Sequence, residues 1–194
     1  LLIIYLIQIL SLLLLPLFHN RFQFRYIVVS EFVIYITVLC FVRTLIAKKI
    51  KIAKLEFEHY LGLSAGIDKS GEYFHSLGTI GFSFIEVGTF TPKAQTGNDF
   101  PRIKRIYKDQ SLINRLGFNN PGIKEGVENI EINKKYFSGI LGISIGKNKD
   151  TSLEDAYLDY NLCMNECFLQ ADYIAINISS PNTKDLRKLT SPEY

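Results

Sequence analysis

From residue 60 onward, short apolar runs alternate with stretches of helical periodicity, and this rhythm restricts the fold more than any other feature of the chain. It is the pattern of βαβ units, in which each strand is buried on both faces and the next helix packs back across the sheet. Four strands are expected, over Leu61 to Ser64, Phe82 to Val87, Gly139 to Ile145 and Tyr173 to Ile178. A short helix over Glu72 to Leu77 is expected to stop at Gly78. Asn120 and Pro121 have the identities of an N-cap and a first helical residue, opening a helix to about Asn129. Thr151 and Glu154 have capping-box spacing, ahead of an apolar stripe of Leu153, Ala156, Tyr157, Tyr160, Met164, Cys167 and Phe168.

Between the second and third strands lies a long excursion, from Phe90 to Asn119. Connections in α/β units are normally a few residues long, and long ones tend to be functional. Within it, Arg102 to Ile106 and Ser111 to Asn114 are expected to pair as a hairpin through the polar turn Lys108-Asp109-Gln110. Units in this order suit a doubly wound sheet or a (β/α)8 TIM barrel. A barrel needs eight units and roughly 250 residues, so on that reading about the first half is present.

The front of the chain has a different character. The protein of 194 residues is 47% hydrophobic and 21% charged with a net charge of +3, but Arg21, Arg25 and Glu31 are the only charges before residue 43. So little charge implies burial in protein or lipid. Leu1 to Leu17 is apolar except for Gln8 and Ser11, close to the lower length limit of a spanning helix. Ile27 to Val42 is a second apolar run, followed by a basic cluster of Arg43, Lys48, Lys49, Lys51 and Lys54 that favours anionic lipid. Residues 1–54 are therefore expected to form an apolar helical membrane-associating segment, and residues 55–194 a separate barrel portion. A secretory signal is disfavoured, with no basic stretch before Leu1 and no small-residue cleavage site. Cys40, Cys163 and Cys167 form neither a disulfide framework nor a metal-ligand spacing. His59 has no second ligand nearby and reads as a packing or surface residue. Nothing marks a nucleic-acid partner.

Catalytic groups of a parallel barrel lie at the C-terminal ends of its strands. Here those ends are Ser64 to Lys69, Glu86 to Thr89, Ser144 to Asn148 and Asn177 to Thr183, each polar or glycine-rich. Ala65 and Gly66 are small enough for a flat ring to approach the backbone, and Lys69 offers a cation. Asn114, Asn177 and Asn182 carry amides that both donate and accept, as reading the C=O and N–H edge of a pyrimidine requires.

Four segments make a more specific likeness. Leu61-Gly62-Leu63-Ser64-Ala65-Gly66-Ile67-Asp68-Lys69, Glu86-Val87-Gly88-Thr89-Phe90-Thr91-Pro92, Asn114-Arg115-Leu116-Gly117-Phe118-Asn119-Asn120 and Ile176-Asn177-Ile178-Ser179-Ser180-Pro181-Asn182-Thr183 resemble, in order and spacing, the signatures of class 2 (quinone-dependent) dihydroorotate dehydrogenases. The resemblance implies oxidation of (S)-dihydroorotate to orotate in pyrimidine biosynthesis. Ser180 would remove a proton from C5 while hydride leaves C6 for FMN, where cytosolic class 1 relatives are expected to have cysteine. It further implies that Ala65, Gly66, Ile67, Asp68, Lys69, Thr89 and Asn177 line the FMN. Lys69, Asn114, Arg115, Leu116, Gly117, Phe118, Asn177 and Asn182 would hold the substrate. The implied partners are dihydroorotate, a membrane quinone and the lipid bilayer, at the cytoplasmic face of a bacterial inner membrane or at the mitochondrial inner membrane.

The chain departs from that pattern in three places. His59-Tyr60 stands where the family has Asn-Pro, Ser144 stands where it has an asparagine near the flavin, and residues 1–54 lack its acidic, histidine-containing stretch. A chain that opens on Leu, has Met164 as its single methionine and stops after four βα units is expected to be part of a longer reading frame. As such it is expected to bind FMN poorly, since the later strands supply the phosphate site. The alternatives are an inactive membrane-attached remnant and another FMN-dependent barrel oxidoreductase.

Overall fold

A computed structural model describes residues 48–183 and 185–192, which fall almost wholly in the second of the chain's two units, Lys49–Tyr194. Nearly all of the expected membrane-associating segment lies outside these residues. Among them, no helix is long and apolar enough to cross a membrane.

The fold is α/β. Strands β1 (Ile50–Ile52) and β2 (Leu55–Phe57) form an antiparallel hairpin, which straddles residue 54, so both sides of the expected boundary are hydrogen-bonded to each other. Phe57 at the end of β2 meets Phe84 edge-on with ring centroids 5.3 Å apart. The hairpin thus packs at the N-terminal end of the main sheet, opposite the ends expected to carry chemistry.

That sheet has four parallel strands, β3 (Gly62–Leu63), β4 (Phe84–Phe90), β7 (Ile140–Ile145) and β8 (Tyr173–Ile176), paired in chain order. A doubly wound sheet reverses its strand order at a switch point; this one does not, and it matches a portion of a barrel. Ile85 and Val87 of β4 and Leu141, Ile143 and Ile145 of β7 are fully buried beneath the helices. On the other face, the Phe84 ring lies across Gly62 and the Tyr173 ring across Gly142, where a Cβ would collide with them. These two glycines are small because aromatic rings from neighbouring strands occupy the space.

Three helices cover the buried face: α1 (Phe74–Gly78), α2 (Ile123–Lys134) and α3 (Ala156–Cys167). The expectation for α2 needs correction. It begins at Ile123 with Gly122 as N-cap, and it runs five residues past Asn129 to Lys134. Asn120 stays outside because its amide is consumed elsewhere: Oδ1 accepts from the N–H groups of Thr91 and Gly122, and Nδ2 donates to Thr91 Oγ1 and Phe118 O. The Thr151 capping box does not form either. The Thr151 hydroxyl donates to Asp159 at 2.7 Å and Asp155 is the N-cap. With α3 starting at Ala156, the buried stripe is Ala156, Tyr160, Cys163 and Cys167, while Tyr157 and Phe168 rotate into solvent. Both buried thiols are free, and the expected hairpin is present as β5 (Ile103–Ile106) paired antiparallel to β6 (Ser111–Asn114). A 3₁₀ turn, Leu186–Thr190, follows β8.

Candidate active site

The loop after β3 folds back over β4. Gly66 has φ +108°, which favours glycine; its N–H donates to Gly88 O at 2.9 Å, and Gly88 N–H donates to Asp68 O at 2.8 Å. Above Gly66 the space is open, with nothing within 4 Å of where a Cβ would stand. Asp68 is turned the other way. It is 2% exposed, and its carboxylate accepts from the N–H groups of Gly71 (2.8 Å), Tyr73 (2.8 Å), Phe74 (2.7 Å) and Ser70 (3.3 Å). Tyr73 and Phe74 open α1, and Ser70 and Gly71 form the turn before it, so Asp68 ties the turn and the helix start together from upstream. Only its backbone is left to face a ligand. Ala65 is half-buried and Ile67 exposed.

Lys69 is half-buried. Burial, and secondly the Arg102 guanidinium, hold its amine below the ordinary lysine value. It lines a cleft of about 580 Å³ with Ser70, Gln95, Thr96, Phe100, Arg102 and Asn119 among the other walls.

At the next three strand ends lies a buried polar row. Asn177 Nδ2 donates to Thr89 Oγ1 at 3.0 Å, and Thr89 Oγ1 shares a proton with Ser144 Oγ at 2.9 Å. Thr89 is 3% and Ser144 1% exposed. Tyr160 donates from α3 to Asn177 O at 3.0 Å, and burial pushes its phenol up to about 12. Ser144 therefore satisfies Thr89 where the resemblance led to expect an asparagine.

The excursion supplies a wall. Asn114 and Arg115 are exposed, Leu116 is half-buried, and Gly117 and Phe118 are buried. Phe118 takes φ +53°, uncommon for a bulky residue, and its ring lies against Gly146. Across from it, Asn182 Nδ2 donates to Asn114 Oδ1 at 3.2 Å, and Asn182 N–H donates to Ser180 Oγ at 3.3 Å. That is the only hydrogen bond of the half-buried Ser180 hydroxyl among the described residues. The structure thus brings together Asn114, Ser180 and Asn182 in one cluster, and Thr89, Ser144 and Asn177 in another. Lys69 is hydrogen-bonded to neither.

Sequence reasoning missed the residues that hold these loops. Gln95 Nε2 donates to Gly117 O at 3.1 Å, and Gln95 Oε1 accepts from Asn148 Nδ2 at 3.0 Å. Asn148 N–H in turn donates to Asp159 of α3 at 2.8 Å. Asn98 Nδ2 donates to both Arg115 O and Asn182 O. The only signal was the density of amides in a long excursion.

The family model for dihydroorotate dehydrogenase matches residues 47–193. The chain is 55% identical over 142 residues to the dihydroorotate dehydrogenase (quinone) of Yersinia enterocolitica, covering 73% of the chain and 42% of that relative. It is 54% identical over 149 residues to the protein of the same name from Buchnera aphidicola, covering 77% and 44%. A crystal structure of DHODH from Eimeria tenella in complex with ferulenol superposes with a TM-score of 0.68 at 41% identity, over 74% of this chain and 39% of that one. The chain spans less than half the length of these relatives. On the matched residues and the parallel sheet that carries them, the chain belongs to the dihydroorotate dehydrogenase family.

Proposed function

We propose that the chain is part of a class 2 dihydroorotate dehydrogenase that oxidises (S)-dihydroorotate to orotate, with FMN as hydride acceptor and a quinone as final electron acceptor, in the synthesis of UMP. The observation that carries this reading is that Ser180 and Asn182, in the loop after β8, meet Asn114 of the long excursion, while Asn177 at the start of the same loop pairs with Thr89 near the C-terminal end of β4. On this reading the sheet is about the first half of an eight-stranded barrel.

The residues present fit a flavin. The open space over Gly66 leaves room for a flat ring, and on this reading Ala65, Ile67, Lys69, Thr89 and Asn177 would line it, with the Asp68 carboxylate bracing the loop from behind. When bound, FMN supplies a two-electron acceptor. The protein supplies the rest. The amides of Asn114, Asn177 and Asn182 read the alternating C=O and N–H edge of the pyrimidine, Arg115 to Phe118 form the wall against it, and Lys69 holds its carboxylate. Ser180 takes the C5 proton; a hydroxyl is a weak base, so its effect depends on tight positioning.

The apolar runs ahead of the β1–β2 hairpin are assigned to membrane association, and the hairpin with all that follows it to the barrel portion, on the cytoplasmic face of a bacterial inner membrane, where quinone is dissolved. The apolar runs and the basic cluster support this. Within the cluster, Lys49 is paired on the surface with Glu56 and Glu58, at 3.0 Å each. The test is dihydroorotate-dependent reduction of a ubiquinone analogue by the longest polypeptide the gene encodes. Retention of FMN without any such reduction refutes the proposal.

Lys69 adds a pH dependence with a definite sign. Its amine loses its proton below 10.5 in the folded state, whereas in the unfolded chain it stays protonated to its ordinary value. In the window between the two values the unfolded state binds more protons, so this residue's contribution to stability rises with pH. Binding runs the opposite way, because only the ammonium attracts a carboxylate. Orotate affinity is expected to fall as pH rises toward 10.5, beginning below that value, and Lys69→Met should bind weakly with no such fall. Calorimetric titration across this range checks it; an alkaline fall that persists in Lys69→Met rejects the role.

A further inference from the structure

The loop after β8 carries Ser180 and Asn182, and the facing wall carries Asn114 to Phe118. Two links join them. One is the direct bond between the side chains of Asn182 and Asn114. Both amides are assigned above to the ligand, and an amide that turns toward a ligand gives up this bond. The other link is Asn98, whose Nδ2 donates to Arg115 O at 3.0 Å and to Asn182 O at 3.3 Å. These acceptors are backbone carbonyls, which remain in place when the side chains engage a substrate.

Asn98 is itself well fixed. Its N–H donates to Leu116 O at 3.0 Å. Its amide lies so close to Gly117 that a Cβ there would meet it at 2.8 Å, and Gly97 at φ +79° brings the chain in beside Leu116. The NH₂ group has two protons, one for each carbonyl. No other side chain among the described residues bonds to the backbone of both segments.

We infer that Asn98 is a positioning residue that latches the Ser180 loop to the Asn114–Phe118 wall, and thereby sets the site's affinity for a carboxylated pyrimidine such as orotate. The affinity part rests on the function proposed above; the latch does not.

Asn98→Asp separates shape from donation, because a carboxylate has the same outline and no N–H. In the FMN-loaded, longest encoded polypeptide, Asn98→Asp and Asn98→Ala are expected to weaken orotate binding about tenfold by calorimetry, equivalent to about 1.4 kcal/mol. KM for dihydroorotate should rise more than kcat falls, with flavin content and Tm as in the parent. Without ligand, amide hydrogen exchange over residues 179–183 should quicken about tenfold in Asn98→Asp. Exchange at the parent rate in that variant, or orotate affinity equal to the parent's, overturns the latch. A parent protein that binds no orotate overturns the proposed function instead, and the ligand-free exchange still decides the latch. Should neither variant fold, the parent decides: orotate must slow exchange over 115–118 and 179–183 together, and protection of one segment alone overturns the inference.

Discussion

Ser180→Ala is expected to slow flavin reduction by dihydroorotate roughly 10²- to 10⁴-fold, the usual worth of a positioned general base, while orotate binds as before. The asymmetry follows from how little the hydroxyl does for the fold. It accepts one hydrogen bond, at 3.3 Å, from Asn182 N–H, and it stands half-buried in a loop rather than in the core. Alanine removes that weak bond without leaving a void beneath the sheet. The O–H proton, by contrast, has no acceptor among the described residues, so the oxygen is free to exchange protons with a ligand or a water relay. Single-turnover reduction separates chemistry from binding. A rate within threefold of the parent would remove Ser180 from the mechanism.

The largest effect on stability is expected at Asp68. Its carboxylate is nearly sealed from solvent and answers four backbone N–H groups. Hydrogen bonds to a charged group are worth about 1.5–3 kcal/mol each, and leaving buried donors unpaired adds to the cost. These contributions are not additive, and we expect Asp68→Ala to lose about 3 kcal/mol. For a domain of this size that lowers the midpoint of thermal unfolding by roughly 10 °C. Asp68→Asn keeps the outline but turns an NH₂ toward donors, so it should lose more than half as much. The loop at Gly66 and Lys69 hangs on the same residue through the bond from Gly88 N–H to Asp68 O, so flavin retention should fall in parallel. A midpoint change under about 3 °C in thermal melts would show that the α1 turn is capped in some other way.

The four strands of the main sheet and the β5–β6 hairpin were legible because their signals are local, whereas the β1–β2 hairpin falls partly where a helical segment was expected. Apolar runs mark buried strands, and the turn through Gln110, at φ +46°, sits among polar residues that favour it. The strand ends were legible for the same reason. The amide assignments were not. Asn120 has the identity of an N-cap, but Thr91, 29 positions earlier, takes its side chain, and the N-cap of α2 moves to Gly122. Thr151 is likewise drawn to Asp159, which faces it only after α3 has packed. The Asp68 carboxylate is buried by a chain reversal that no local pattern records. Gln95, Asn98 and Asn148 carried no distinguishing mark in sequence. A polar side chain has the same capacity wherever it stands, and tertiary neighbours decide which partner it takes.

The chain of bonds from Asp159 on α3 through Asn148 and Gln95 to Gly117 bears on how such an enzyme diversifies. Its end point is a backbone carbonyl in the wall proposed to hold the substrate, and its origin is Asp159 on the outer helix α3. Each link is a side chain gripping main chain or another amide, so a change at either end moves the wall as a body and leaves the identities of the ligand-reading residues untouched. Selection can therefore retune the grip on a substrate through the outer helix while the reactive residues stay constant.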